Sequence, residues 1–208
     1  VVSKGRLGTQ VKSYQPSRLQ EGFQPLSQDT VDLAHGNPKR ELLPSLSEIS
    51  FTSFHGVLYG ENIYHPELLK IAQEQIFADI AQDFSCEFTY GAVDAIERIL
   101  ASYLVASDLV AVEQPGFITS ICAIEHQQYK MHPFSVSAQG FDLDELRQAL
   151  QANVQAIIIT PRSQNPTGYS LDTTQAQQIY KILEDYPHVL VIIDDHFSLL
   201  AQAQYQHI

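Results

Sequence analysis

From residue 31 onward the apolar positions of this chain follow two alternating rhythms. Leu68, Leu69, Ala72, Ile76, Ile80 and Phe84 recur at helical spacing, which predicts an amphipathic helix over about 65–82. A second helix is expected behind Gly91, with Ala92, Ala95, Ile96, Ile99, Leu100, Tyr103 and Leu104 on its buried side. "DLVAVE" (108–113) reads as a strand, and "FITSICAIEHQ" behind Gly116 as a helix. "KMHPFSV" is a shorter extended piece, and Asp142 with Glu145 forms a capping box for a helix reaching about Gln151. "VQAIIIT" (154–160) and "VLVII" (189–193) are aliphatic and mostly β-branched, so both predict strands buried on two faces. Between them Asp172 opens a helix to about Tyr186. The first thirty residues keep neither rhythm for more than a few positions and read as a polar tail and linker.

Apolar strands separated by helices of this length predict βαβ units, hence an α/β fold with a mostly parallel sheet between two helical layers. In such sheets ligands gather at the carboxyl ends of the strands. Composition changes this picture little: 44% hydrophobic and 17% charged residues suit a packed domain. The net charge of −12 excludes a chain-wide nucleic-acid surface. Four of the twelve basic residues (Lys4, Arg6, Lys12 and Arg18) nevertheless fall in the polar first segment. Two cysteines, Cys86 and Cys122, make no disulfide framework and suit a reducing compartment. No apolar run reaches the roughly 18 residues of a membrane span, so a cytoplasmic location is expected.

Four predicted strand ends carry groups with chemistry. Tyr90-Gly91-Ala92 precedes a helix, where backbone N–H groups and the helix dipole favour an anion. Phe117 follows "EQPG" and is placed to cover a planar ligand. Thr160 to Gly168, "TPRSQNPTG", is a loop stiffened by two prolines that presents Asn165 as both donor and acceptor. The last strand ends in Asp194-Asp195, where charge is costly to bury without a partner. Taken singly, each has a plain structural explanation: a turn, a core aromatic, a rigid loop, a salt-bridged acid. Their order along the chain is far more specific.

That order resembles the large domain of fold-type I enzymes using pyridoxal 5′-phosphate, the class I/II aminotransferases. The resemblance implies that Gly91, Ala92 and Val93 hold the cofactor phosphate and that Phe117 stacks on the pyridine. It implies that Asn165 meets the phenolic oxygen and that Asp194 pairs with the ring nitrogen. A carboxylate there keeps the ring protonated and a better electron sink. Upstream, Gly36 of "HGNP" falls where the family meets the substrate carboxylate. Tyr59 of "YG" falls where a tyrosine reaches a partner subunit's phosphate, which implies a homodimer. The likeness covers nearly nine-tenths of the chain, from about Val31 onward.

"DDHF" at 194–197 is reminiscent of MocR-type regulators, in which a GntR-type winged helix precedes an aminotransferase-like domain. "VVSKGRLGTQV" (1–11) resembles the last wing of such a domain: Gly8, Thr9 and Val11 match its pattern, and Lys4 and Arg6 fall where wing residues touch DNA. The expected organisation is therefore a wing remnant over 1–11, a linker over 12–30, and an aminotransferase-like domain from 31 to 208. The alternative is a true aminotransferase acting on an amino acid. A nucleotide-binding domain is disfavoured, because no glycine-rich phosphate motif follows any strand.

The sequence departs from the family in several places. The lysine that carries the cofactor lies some thirty residues past the pyridine aspartate, whereas Lys4, Lys12, Lys39, Lys70, Lys130 and Lys181 all precede Asp194. Tyr64 stands where a glycine is usual, "VASD" (105–108) replaces "PGD", and Ile193 replaces a frequent glutamate. Asp195 has no ring contact in the family pattern and is expected to support its neighbour or cap a helix. The chain is expected to be a truncated domain with an incomplete sheet. It should hold the cofactor weakly and non-covalently, perform no turnover, and lack specific DNA binding.

Overall fold

A computed structural model describes residues 2–3, 9–10, 39–48, 50, 56–61, 64–78, 80 and 83–208. The chain divides into one unit of residues 1–21 and 91–208 and a second of residues 22–90. In the first unit, β1 (Val2–Ser3) pairs antiparallel with β2 (Thr9–Gln10), Val2 opposite Gln10. The expected linker lies outside the described residues.

In the second unit, α1 (Pro66–Ile71) starts with proline at its first position, where no N–H is needed. It widens into a π-type turn over Ala72–Ile76 and stops, since Phe77 leaves helical geometry at φ −111°. The helix expected to reach 82 is therefore shorter. Ala72 is buried at 2%, but Leu68 and Ile76 stay 47% and 41% exposed, so too little apolar contact sustains further turns. Nearby, the Phe77 and Phe84 rings meet edge to face at 5.6 Å.

The main sheet is built from β3 (Leu109–Gln114), β4 (Lys130–Ser137), β5 (Gly140–Phe141), β6 (Ala156–Ile159) and β7 (Leu190–Ile193). Their spatial order is β5-β4-β3-β6-β7, with only the β4–β5 pair antiparallel. Four helices cover it: α2 (Ala92–Tyr103), α3 (Ile118–His126), α4 (Leu143–Gln151) and α5 (Thr173–Glu184). Alternate strand residues feed two cores. Val110, Val112, Ala156, Ile158 and Ile192 pack with Ile96 and Leu100 of α2 and Ile124 of α3. Ala111, Ile157 and Ile159 pack with Leu146 and Leu150 of α4 and Ile179 and Ile182 of α5. Burial on both faces is why these strands read as unbroken aliphatic runs.

Tyr103, expected on the buried side of α2, is 72% exposed. Ile96, Leu100 and Leu104 repeat every fourth residue and define the buried stripe, and Tyr103 falls beside it. The Asp142 cap is present, accepting from Asp144 N–H and Glu145 N–H at 3.0 Å each. Glu145 does not return to Asp142; its carboxylate accepts from Ser135 N–H at 2.7 Å and pins the helix start to β4. Asp142 N–H donates instead to Ser135 O.

Candidate functional site

The chain runs from β3 to β4 on one side and reaches β6 and β7 on the other, so strand order reverses between β3 and β6. The crevice outside the carboxyl ends of such a reversal is the usual ligand position in a parallel sheet. Three side chains meet there. Glu113 comes from β3, Thr160 follows β6 and Asp194 follows β7, whose main-chain N–H donates to Ile159 O at 2.9 Å. With Phe117, Ser120 and Ile158 they line a narrow hollow of about 20 Å³.

Asp194 is 7% exposed. Burial raises its pKa above the ordinary value; contacts from His196 and its backbone N–H lower it, and the Asp195 charge raises it. His196 Nδ1 lies 3.6 Å from Asp194 Oδ1. The Phe117 ring, at the cap of α3, lies near parallel to the His196 ring with centroids 6.0 Å apart. Phe117 and Asp194 thus line the same hollow.

The other predicted residues lie elsewhere. Gly91, at φ +109°, is the N-terminal cap of α2 and provides no side-chain cap; Gly91 and Ala92 are exposed and Val93 is half-buried. Asn165 is exposed on its loop, where the Asn165–Pro166 bond is cis. None of these four lines the hollow around Phe117 and Asp194. Tyr59 is fully exposed in a turn of the other unit, and Gly36 lies outside the described residues. Lys181 lines a separate groove between α4 and α5 with Arg147 and Tyr186.

Sequence reasoning missed four participants. Glu113 is 6% exposed, and burial, against hydrogen bonds from Thr160 and Gln164, pushes its pKa to about 7. The signal was available, since Glu113 ends an aliphatic strand just as Asp194 does. Gln164, 1% exposed, ties the loop to that acid. Its Nε2 donates to Glu113 Oε2 at 2.9 Å and to Pro115 O at 2.8 Å, and its Oε1 accepts from Thr167 N–H at 3.0 Å. Arg162 takes Asp195 in a two-point ion pair, with Nε to Oδ1 at 2.9 Å. Asp195 was expected to support its neighbour or cap a helix; its carboxylate instead anchors that arginine. Arg162 also lies under the Tyr205 ring, 5.4 Å from its centroid. His196 is the fourth. A sequence separation of 33 residues hides the Arg162–Asp195 pairing from any local pattern.

A buried carboxylate beside a flat aromatic face suits a planar, cationic nitrogen heterocycle: the acid neutralises the ring nitrogen and the face excludes water. The mostly parallel sheet with its reversal between β3 and β6 is the α/β fold of aminotransferases of known structure. The chain belongs to the aminotransferase class I and II family, which matches residues 28–207. It is 38% identical over 205 residues to the vitamin B6 salvage pathway transcriptional repressor PtsJ of Salmonella typhimurium, covering 98% of this chain and 47% of that one. It is 33% identical over 114 residues to the uncharacterized HTH-type transcriptional regulator YdcR of Escherichia coli, covering 54% and 24%. These relatives bear out the resemblance to MocR-type regulators. An aspartate aminotransferase from Rhodobacter sphaeroides shares the fold with a TM-score of 0.60 at 22% identity, over 68% of this chain and 39% of that one. The chain spans about half the length of the first of these relatives, and less of the others.

Proposed function

We propose that this chain is the sensing part of a GntR/MocR-type transcriptional regulator, and that its aminotransferase-like domain binds pyridoxal 5′-phosphate as an effector. The observation that carries the reading is the buried Asp194 at the sheet reversal, sharing one hollow with Phe117. Asp194 would hold the ring nitrogen and Phe117 one ring face. The N–H groups of Gly91, Ala92 and Val93 suit the phosphate, since α2 begins with a glycine and no competing side-chain cap. Asp94 in the same turn is neutralised by Arg98 at 2.8 Å. Asn165 would meet the phenolic oxygen, Gly36 the carboxylate of an amino compound, and Tyr59 the phosphate held by a second copy in a homodimer. The full exposure of Tyr59 suits a residue whose partner is another chain.

When bound, the group supplies an electron-poor ring that also absorbs visible light. No lysine lines the hollow around Asp194 and Phe117, so binding by these residues is proposed to be non-covalent. Occupancy shifts the population of domain arrangements and thereby DNA binding through the winged helix. The β1–β2 hairpin supports a wing over residues 1–11, with 12–30 as linker. Among the described residues no helix is long and apolar enough to cross a membrane, in keeping with action on cytoplasmic DNA.

Titrating the chain with pyridoxal 5′-phosphate should give saturable binding that Asp194→Ala weakens at least tenfold, since a pyridinium loses a buried counter-charge of roughly 1.5–3 kcal/mol. Borohydride reduction should leave no lasting mass increase. Equal binding by both proteins sinks the assignment of Asp194, and a stable adduct sinks the non-covalent one. Transfer of an amino group to a keto acid would establish the aminotransferase alternative.

A further inference from the structure

Two carboxylic acids from different strands meet at the sheet reversal, and only Asp194 has a part in the reading above. Glu113 and Asp194 line the same narrow hollow and are 6% and 7% exposed. Every other residue lining it is uncharged; the start of α3 presents Phe117, Ser120 and Ile121. Both oxygens of Glu113 accept from neutral donors, Oε1 from Thr160 N–H and Oε2 from Gln164 Nε2 at 2.9 Å. Among the described residues Asp194 is the one charge that acts on Glu113. After β7, His196 and Asp195 act on Asp194, while Arg162 is paired with Asp195. Two acids this buried, with no cation between them, do not both keep their charge cheaply. Burial accordingly raises both, Glu113 to about 7.

We propose that Glu113 is a second acid of the ring site that selects for positive charge: a ring that brings a cation to Asp194 drives off the proton held by Glu113. The inference rests on the reading above that this site receives a pyridine phosphate. The hollow has room for about one water, so the charge of the ring, rather than its atoms, reaches Glu113. That charge acts strongly because little water lies between the groups to screen it. The displaced proton passes to solvent. A cationic ring then meets two carboxylates, whereas a neutral ring draws no charge from either. Below the titration of Glu113 the cation must first displace a proton, and above it the second negative charge already stands.

The hydrogen bonds around Glu113 let this change of charge occur without rebuilding the loops. Gln164 Nε2 donates to Pro115 O at 2.8 Å as well as to Glu113, and its Oε1 accepts from Thr167 N–H and Thr167 Oγ1. Its amide is therefore fixed with the nitrogen toward the acid. Thr160 N–H and Gln164 Nε2 are donors only, so both bonds suit the carboxylate and persist when the proton leaves. Glu113 can thus alter the charge of the site while the chain around it stays in place.

The test uses 4-deoxypyridoxine 5′-phosphate and its benzene isostere, in which carbon replaces the ring nitrogen. Calorimetric titration gives the affinity of the unaltered chain for the pyridine probe divided by that of Glu113→Gln. This ratio should grow roughly five- to tenfold from about pH 6 to about pH 8, the span over which a proton held at about 7 is lost. The probe's phosphate and the other groups near Asp194 are common to both proteins and cancel from the ratio. For the isostere the ratio should stay constant within about twofold. A second readout needs no variant: the Glu113 carboxyl resonance of the unaltered chain should titrate at least about one pH unit lower once the pyridine probe saturates it. A flat ratio, or a resonance midpoint that saturation leaves in place, overturns the proposal. Equal growth with the isostere overturns it too, since the ring charge would then play no part. If the pyridine probe does not bind the unaltered chain at either pH, the effector reading fails and the proposal with it. If the probe binds and the midpoint stays, only the role of Glu113 falls.

Discussion

Glu113 accepts hydrogen bonds from Thr160 N–H and from the Gln164 amide, yet burial outweighs both and the Asp194 charge adds to the push. Its pKa rises from 4.5 to about 7. The folded chain thus binds a proton more tightly than the unfolded one between those values. For this group, stability is fully present below about pH 4.5 and is lost as pH rises through 7, a change on the order of 3 kcal/mol. Asp194 is shifted in the same direction. Glu113→Gln removes the titration, so its urea midpoint should vary much less between pH 5 and 8 than that of the unaltered chain. The variant also places an amide donor against the Gln164 donor. Gln164 must turn over and lose its Thr167 contacts, costing about 1 kcal/mol at low pH. An unchanged pH slope would remove Glu113 as the group responsible. A raised pKa at the site acids also means that ligand cations and protons compete there.

At the scale of elements, the turn between α2 and β3 shows a local rule being broken. "VASD" stands where the family has "PGD", and Ser107 is forced to φ +81°, a region that favours glycine. Ser107 N–H donates to Gln128 O and Asp108 accepts from Val105 N–H at 2.8 Å, so the surroundings hold the strained residue in place. Ser107→Gly should raise the unfolding free energy by roughly 0.5–1 kcal/mol, since relief of strain exceeds the added unfolded-state entropy. A lower midpoint in urea would show that the serine conformation carries no strain. The strands β3, β6 and β7 were legible because both faces are covered, leaving aliphatic runs with a helical rhythm between them. The α4 cap was legible for the same local reason. What escaped depends on distant partners: Glu145 serves β4, Arg162 finds Asp195, and Gln164 finds Glu113. The length of α1 escaped because a helical period persists where Ala72 is buried but Leu68 and Ile76 stay in water. Phe117 and Asp194 came from the order of motifs along the chain, whereas His196 came only from geometry.

For the molecule as a whole, charge and exposed apolar surface bear on the homodimer proposed above. In the unit of residues 22–90, Leu58 is 72% exposed, and Leu68, Ile71 and Ile76 keep over two-fifths of their surface in water. Apolar side chains left open together commonly mark a surface that another chain covers. Each copy carries a net charge of −12, so two copies repel unless salt screens them. The proposed homodimer should therefore strengthen between 50 mM and 500 mM salt, opposite to an assembly held by ion pairs. Sedimentation equilibrium at tens of micromolar should report twice the 23.3 kDa chain mass at the higher salt. Leu68→Asp should return it to the monomer, since burying a carboxylate in an apolar contact costs several kcal/mol. Because Tyr59 of a second copy is proposed to reach the phosphate, the monomeric variant should also bind pyridoxal 5′-phosphate more weakly, although Asp194 and Phe117 belong to the other unit. A monomer at every salt concentration would overturn the dimer, and with it the role proposed for Tyr59 across a second copy. The ring site of the single chain would stand unaltered.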